Sequence, residues 1–222
     1  MVNSGKSNLI ISDSKGAWFR ATILFILALI GTVGMWSVVV FIPDIEREFN
    51  LDRGTSSLLY AFTMIGFGFG TVAIGKIYDK FGIKKPILLA TIVLIACYYL
   101  YSIFPFYWQF LTLQFFMGFA ASAFFGPAMA DISNYFNKQR GFALSIVASA
   151  NYVAGATWPL LIGYFLKFID WRTTHFWISI CLLIMIPMIL LLKNASVDES
   201  KFQDTKQRLS LIHISEPTRP LY

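Results

Sequence analysis

Two groups of residues in this sequence have the types and spacing to do chemistry. The first is the segment from Gly75 to Lys85, GKIYDKFGIKK, where one carboxylate, Asp79, stands among Lys80, Lys84 and Lys85. Charges at this spacing make and break ion pairs; they do not make covalent bonds. Gly75 allows another helix to approach closely, and Gly82 permits a turn with positive φ. Asp79 at a helix boundary can meet a helix N-terminus or a basic side chain. The second group is a set of uncharged polar side chains inside long apolar runs: Thr32, Trp36, Gln114, Asn151 and Tyr152. A buried amide costs free energy unless it is paired. Gln114 and Asn151 therefore need partners, on another helix or on a polar solute.

Bond-making chemistry finds no support. The apolar runs hold no pair of carboxylates, and the chain has no metal-ligand spacing, no Ser/His/Asp set and no phosphate loop. Gly66 to Gly70, GFGFG, imitates a nucleotide fingerprint in letters only, because it lies inside an apolar run. Cys97 and Cys181 also lie inside such runs, without Cys-x-x-Cys spacing, and read as packed thiols. His175, near the end of the last apolar run, reads as interfacial. No cofactor and no enzymatic activity are expected.

The elements that must carry these residues follow from composition. The chain is 57% hydrophobic and 14% charged, whereas soluble domains carry about 25% charged residues. Such a chain needs lipid as its solvent. A hydrocarbon core is crossed by about 20 apolar residues, and six stretches qualify: Ala21–Ile42, Ser56–Ile74, Pro86–Ser102, Phe106–Ala130, Gly141–Leu166 and Thr173–Leu192. Their apolar centres carry no Asp, Glu, Lys or Arg. Backbone groups in lipid must pair within their own segment, so the expected fold class is all-α, a polytopic six-helix bundle. The first 17 residues are polar, and the run that follows is too long for a cleavable signal and reads as a retained anchor.

Charge orients the bundle. Lys6, Lys15, Arg20, Lys76, Lys80, Lys84, Lys85, Lys138, Arg140, Lys193, Lys201, Lys206 and Arg208 fall on one side. Only Arg47, Arg53, Lys167 and Arg172 fall on the other. The positive-inside rule then places both ends in the cytoplasm of a multi-pass cell-membrane protein. This topology accounts for the net charge of +6. With no arginine-rich or aromatic-interleaved basic patch, nucleic acid is excluded as a partner.

Small residues recur at helical spacing: Gly66 and Gly70; Gly118, Ser122, Gly126 and Ala130; Gly141, Ser145 and Ser149. Such stripes let helix backbones approach. Gly34 and Pro43 lie nine apart in the first span, and Gly118 and Pro127 lie nine apart in the fourth. An offset of three spans makes two inverted three-helix repeats, a transporter signature.

The segment Gly75 to Lys85 resembles the signature loop of the major facilitator superfamily, G-x-x-x-D-[RK]-x-G-x-[RK]-[RK], and stands where that family has it, between the second and third spans. Gly75, Asp79, Lys80, Gly82, Lys84 and Lys85 match. Tyr135 to Gly141, YFNKQRG, is similar to the family's loop between helices 4 and 5, and Asp170-Trp171-Arg172 to the Gly-Trp-Arg found before helix 6. Trp36-Ser37 with Phe41-Ile42-Pro43 resembles helix 1 of the monocarboxylate and oxalate–formate branch. Departures are Gln114, where many members carry Arg four residues before a Gly; a partial antiporter pattern in Gly155, Pro159 and Gly163; and the absence of a helix 1 lysine.

The resemblance implies half of a twelve-helix fold. Helices 1 and 4 then line a central cavity and helices 2 and 5 face the other half, so Thr32, Trp36, Gln114, Asn151 and Tyr152 are the expected substrate pathway. Asp79 is the expected latch of the outward-facing state, its partner lying in the missing C-terminal half. The expected activity is secondary transport of a small solute, a monocarboxylate or other organic anion, with proton or anion coupling left open. The rival reading is a self-contained six-span protein acting as a dimeric carrier or pore, or as a membrane interaction protein.

The expected organisation is a tail at 1–17, the bundle at 18–192, the start of a central loop at 193–208, and a foreign stretch at 209–222. Residues 209–219, LSLIHISEPTR, resemble the in-frame translation of a transposase sequencing adapter.

Overall fold

The computed structural model describes residues 13–192. The expected segments 193–208 and 209–222, and all but the end of the 1–17 tail, lie outside the described residues. Among the described residues the chain is all-helical, and six helices are long and apolar enough to cross a membrane. The first span is α1 (Lys15–Gly31) with α2 (Val33–Phe49). The second and third are α3 (Arg53–Phe81) and α4 (Lys84–Ile103). The fourth joins α5 (Tyr107–Ala121), a 3-10 turn at Ser122–Phe124 and α6 (Gly126–Ser133). The fifth is α7 (Arg140–Phe165), and the sixth is α8 (Trp171–Leu182) with α9 (Met185–Leu191).

Short polar residues start α1, α3 and α8. The Asp52 carboxylate accepts from the Gly54 and Thr55 amides at the head of α3, and Asp170 accepts from Thr173 at the head of α8. Each satisfies amides that have no partner within the helix. Asn50, at φ 49°, ends α2, and Gly82, at φ +73°, ends α3.

The small-residue stripes are buried contacts. α3 lies along α5 with backbone against backbone. A Cβ at Gly66 would overlap the Phe115 carbonyl, one at Gly118 would overlap the Thr63 carbonyl, and one at Gly70 would stand 2.5 Å from the Phe119 oxygen.

The two ends of the bundle are stapled differently. At the end away from most lysines, Glu48 accepts from the Arg172 guanidinium at 2.6 Å and from the Trp171 indole at 2.8 Å. Glu46 there accepts from Arg53 at 3.2 Å and from the Ser56 hydroxyl. At the basic end, Arg20 grips Asp131 with two bonds, at 2.6 and 2.9 Å. Neither residue stands in an apolar centre; each terminates a span and is buried by the other.

Candidate functional site

The middle of the first span is broken. α1 stops at Gly31 and α2 restarts at Val33, with Thr32 between them. The Thr32 hydroxyl donates back to the Ala28 carbonyl at 2.8 Å, a bond that bends helices. A break frees backbone carbonyls, and in lipid these need donors. The Leu29 carbonyl finds one in the Trp158 indole N–H of α7, at 2.8 Å. Trp158 was not legible as a site residue, because its target exists only where the helix breaks. Trp158→Phe is expected to leave that carbonyl unpaired and to lower stability by about 1–3 kcal/mol, read as a reduced unfolding midpoint in detergent micelles. An unchanged midpoint would remove Trp158 from the support of the break.

Just beyond the break, the Trp36 indole donates to the Asn151 amide oxygen at 3.1 Å. An indole N–H is a donor only, so this bond fixes which way the Asn151 amide faces. The Asn151 amide nitrogen has no hydrogen-bond partner among the described residues. The Trp36 ring lies over Gly155, where a Cβ would stand 2.9 Å from it. Tyr152 is 71% exposed and shares one α7 face with the exposed Leu160 and Tyr164. The structure thus brings Thr32, Trp36, Asn151 and Tyr152 to the region where α1, α2 and α7 meet.

Gln114 is placed elsewhere. It is 1% exposed, its amide oxygen accepts from Thr63 at 2.8 Å, and its amide nitrogen donates to the Tyr101 hydroxyl at 3.1 Å. These bonds knit α3, α4 and α5. Tyr101 in turn stacks on Phe110 and on His175, both at 4.5 Å. His175 faces the bundle interior rather than its surface. It is buried between Phe41 and Tyr101, and one ring nitrogen meets the Trp171 carbonyl at 2.8 Å.

The loop from Gly75 to Lys85 joins the basic ends of α3 and α4. Gly82 donates its N–H to the Tyr78 carbonyl at 2.8 Å, and this closes α3. Lys80 and Lys85 hold their ammonium groups 5.3 and 4.1 Å from the Phe81 ring. Lys84 reaches the Leu190 carbonyl at 3.5 Å. Gly75 faces open space among the described residues rather than a neighbouring helix. Asp79 is exposed in the last turn of α3 and makes no ion pair with any described residue. A helix C-terminus disfavours an anion, so its own helix does not stabilise Asp79.

Five residues of the YFNKQRG segment, Tyr135 to Gln139, hold the start of α1. Phe136 packs edge-on against Trp18, with centroids 4.9 Å apart. The Tyr135 ring lies 4.5 Å from the Arg20 guanidinium. The amides of Asn137, Lys138 and Gln139 donate to the Asp13 carboxylate at 3.3, 3.1 and 3.1 Å. Desolvation raises the Asp13 pKa, but the amides of Lys138, Gln139 and Asn137 outweigh it and hold the carboxyl below its usual range. This contact persists at neutral pH and is lost only as pH falls through that lowered value.

Comparison with known proteins agrees with this architecture. Similar proteins include the agnestins efflux protein of Paecilomyces divaricatus, 28% identical over 156 residues, which are 68% of this chain and 35% of that protein. The MFS-type transporter eupM of a Phoma species is 25% identical over 181 residues, 79% of this chain and 64% of its own length. The benzoate transport protein of Acinetobacter baylyi is 23% identical over 197 residues, 85% of this chain and 42% of its own length. The chain thus spans between 35% and 64% of these relatives. The family model for the Major Facilitator Superfamily matches residues 24–220, a range that takes in nearly the whole bundle and also the adapter-like stretch. With that match, this six-span chain belongs to the Major Facilitator Superfamily.

Proposed function

We propose that the chain is the N-terminal six-helix half of a secondary transporter that moves a small organic anion across the cell membrane by alternating access, not an enzyme. The observation that carries this reading is the broken first span, with Thr32, Trp36 and Asn151 gathered at the break. Discontinuous helices near the midplane are where transporters of this kind bind solutes. Trp36 holds the Asn151 oxygen, so the amide N–H groups are the donors offered to an anion. Tyr152, the next residue along α7, adds an exposed hydroxyl. Thr32 and Gln114 serve the pathway by shaping the helices around it.

The exposed α7 face is proposed to meet the C-terminal half. Asp79 has no ionic partner among the described residues, and this supports its reading as a latch to that half. The basic end is proposed to be cytoplasmic. A carboxylate substrate is supported by the helix 1 resemblance and by the name of the Acinetobacter relative, a benzoate transport protein. Among the described residues the apolar centres of the six spans carry no cation, so the countercharge is proposed to lie in the second half.

The test is benzoate uptake by proteoliposomes holding the complete reading frame. Uptake is expected, and Asn151→Ala is expected to slow it about tenfold or more, the cost of a hydrogen bond to a charged group. No uptake of benzoate or of short monocarboxylates, with normal incorporation, would refute the substrate class. Uptake by the 222-residue chain alone would favour the dimeric carrier.

A further inference from the structure

The first and fourth spans are interrupted at the same level. Thr32 separates α1 from α2, and Ser122 to Phe125 separate α5 from α6. The two breaks touch: the Phe124 ring lies where a Cβ on Gly31 would stand, 2.5 Å away. Each break removes hydrogen bonds that would stiffen its helix, so bending is cheapest there.

Most of the cross-links divide along the same line; one that does not is the bond from the Asn134 amide nitrogen to the Tyr78 hydroxyl of α3, at 3.3 Å. On the basic side, α1 is bound to α6 by the two Arg20–Asp131 bonds. The turn before α1 is bound to the segment after α6 by Asp13, whose amide donates to the Tyr135 carbonyl at 3.1 Å and whose carboxylate holds three amides. Asp13 does this from a left-handed backbone, φ 57°, a conformation that persists only where the surroundings impose it. Trp18 on Phe136 closes the group. On the other side, α2 is bound to α3 through Glu46 and to α8 through Glu48. α7 runs past both groups, and Trp158 holds α1 at the level of the break.

We infer that α1, α6 and residues 134–139 form one clasped unit that swings as a body about the paired breaks, so that the six-helix half is itself two moving parts. A bidentate pair in a low-dielectric interior resists separation, and a broken helix yields easily. Motion between states then goes into the breaks and leaves α1 and α6 together. The inference concerns this chain alone and holds whatever the transported solute is.

Spin-label distances in lipid nanodiscs test it on the 222-residue chain, with Cys97→Ser and Cys181→Ser. One pair, at the exposed Phe19 and Lys138, lies within the clasped unit. A second pair, at Lys138 and the exposed Trp108, spans the break of the fourth helix. The expected result is a single narrow distance for the first pair and a broad or multiple distribution for the second. Two equally narrow distributions would overturn the hinge, and a broad distribution for the first pair would overturn the clasp. The triple variant D13A/R20M/D131L is expected to lose the narrow 19–138 distance while keeping its helical circular dichroism. An unchanged narrow distance in that variant would overturn the assignment of the clasp to these three side chains.

Discussion

Arg20→Met is expected to destabilise the bundle by about 3–5 kcal/mol, the cost of leaving one partner of a buried ion pair alone. Asp131 is 6% exposed and Arg20 is 4% exposed. Both carboxylate oxygens of Asp131 are held by the guanidinium, one at 2.6 Å and the other at 2.9 Å. Removing the cation leaves the anion buried without its counterion. Asp131→Leu is expected to cost a similar amount for the opposite reason. The double variant R20M/D131L removes both charges together and is expected to recover most of the loss, because an apolar replacement of a buried pair is often neutral. Reversible unfolding in mixed micelles, followed by tryptophan fluorescence, gives the four corners of the cycle. If R20M falls within about 1 kcal/mol of the parent, as an exposed pair would, the pair does not hold the basic end together.

This pair marks where sequence reading stopped. Each residue borders an apolar run, and there a lone charge reads as a topology signal or an end of span. Their partnership across 111 residues depends on how spans 1 and 4 cross, and no periodicity in either span encodes that. The surroundings of His175 were hidden for the same reason: it sits near the end of a run, and Phe41 of α2, Tyr98 and Tyr101 of α4 and Trp171 of its own helix α8 surround it. The spans themselves were legible, because lipid leaves a 20-residue apolar segment few alternatives to a helix. The requirement that Gln114 and Asn151 be paired was legible too. Which partners they take was not, and those partners separate them: Gln114 is committed to Thr63 and Tyr101, while the Asn151 amide nitrogen has no partner among the described residues. The loop from Gly75 to Lys85 was readable as a family signature, but the open space at Gly75 shows that close packing of described helices does not explain that glycine.

Glycines give the sharpest contrast between letters and contacts, and Gly118→Ala carries the second large expected effect. A Cβ at Gly118 would overlap the Thr63 carbonyl, and the backbone of α3 cannot rotate away as a side chain would. The helices must separate or tilt, and overpacking of this kind costs about 3 kcal/mol at the upper end of its usual range. The damage spreads through a neighbouring bond. Gln114 lies one turn from Gly118 on α5, and its amide oxygen takes the Thr63 hydroxyl at 2.8 Å. Separating the helices lengthens that bond in a medium where neither group can turn to water. Gly66→Ala meets the Phe115 carbonyl from the opposite helix and is expected to cost as much. Gly163, inside α7, has nothing within 4 Å of a Cβ, so Gly163→Ala is expected to be neutral or to gain up to about 1 kcal/mol of helix propensity. Thermal unfolding of the three variants in one detergent separates the two explanations. Equal stability of G118A and G163A would mean that α3 and α5 are not in backbone contact. A large loss confined to G118A and G66A would establish that contact as the point where spans 2 and 4 are joined, on the opposite side of the fourth-span break from the Arg20–Asp131 pair.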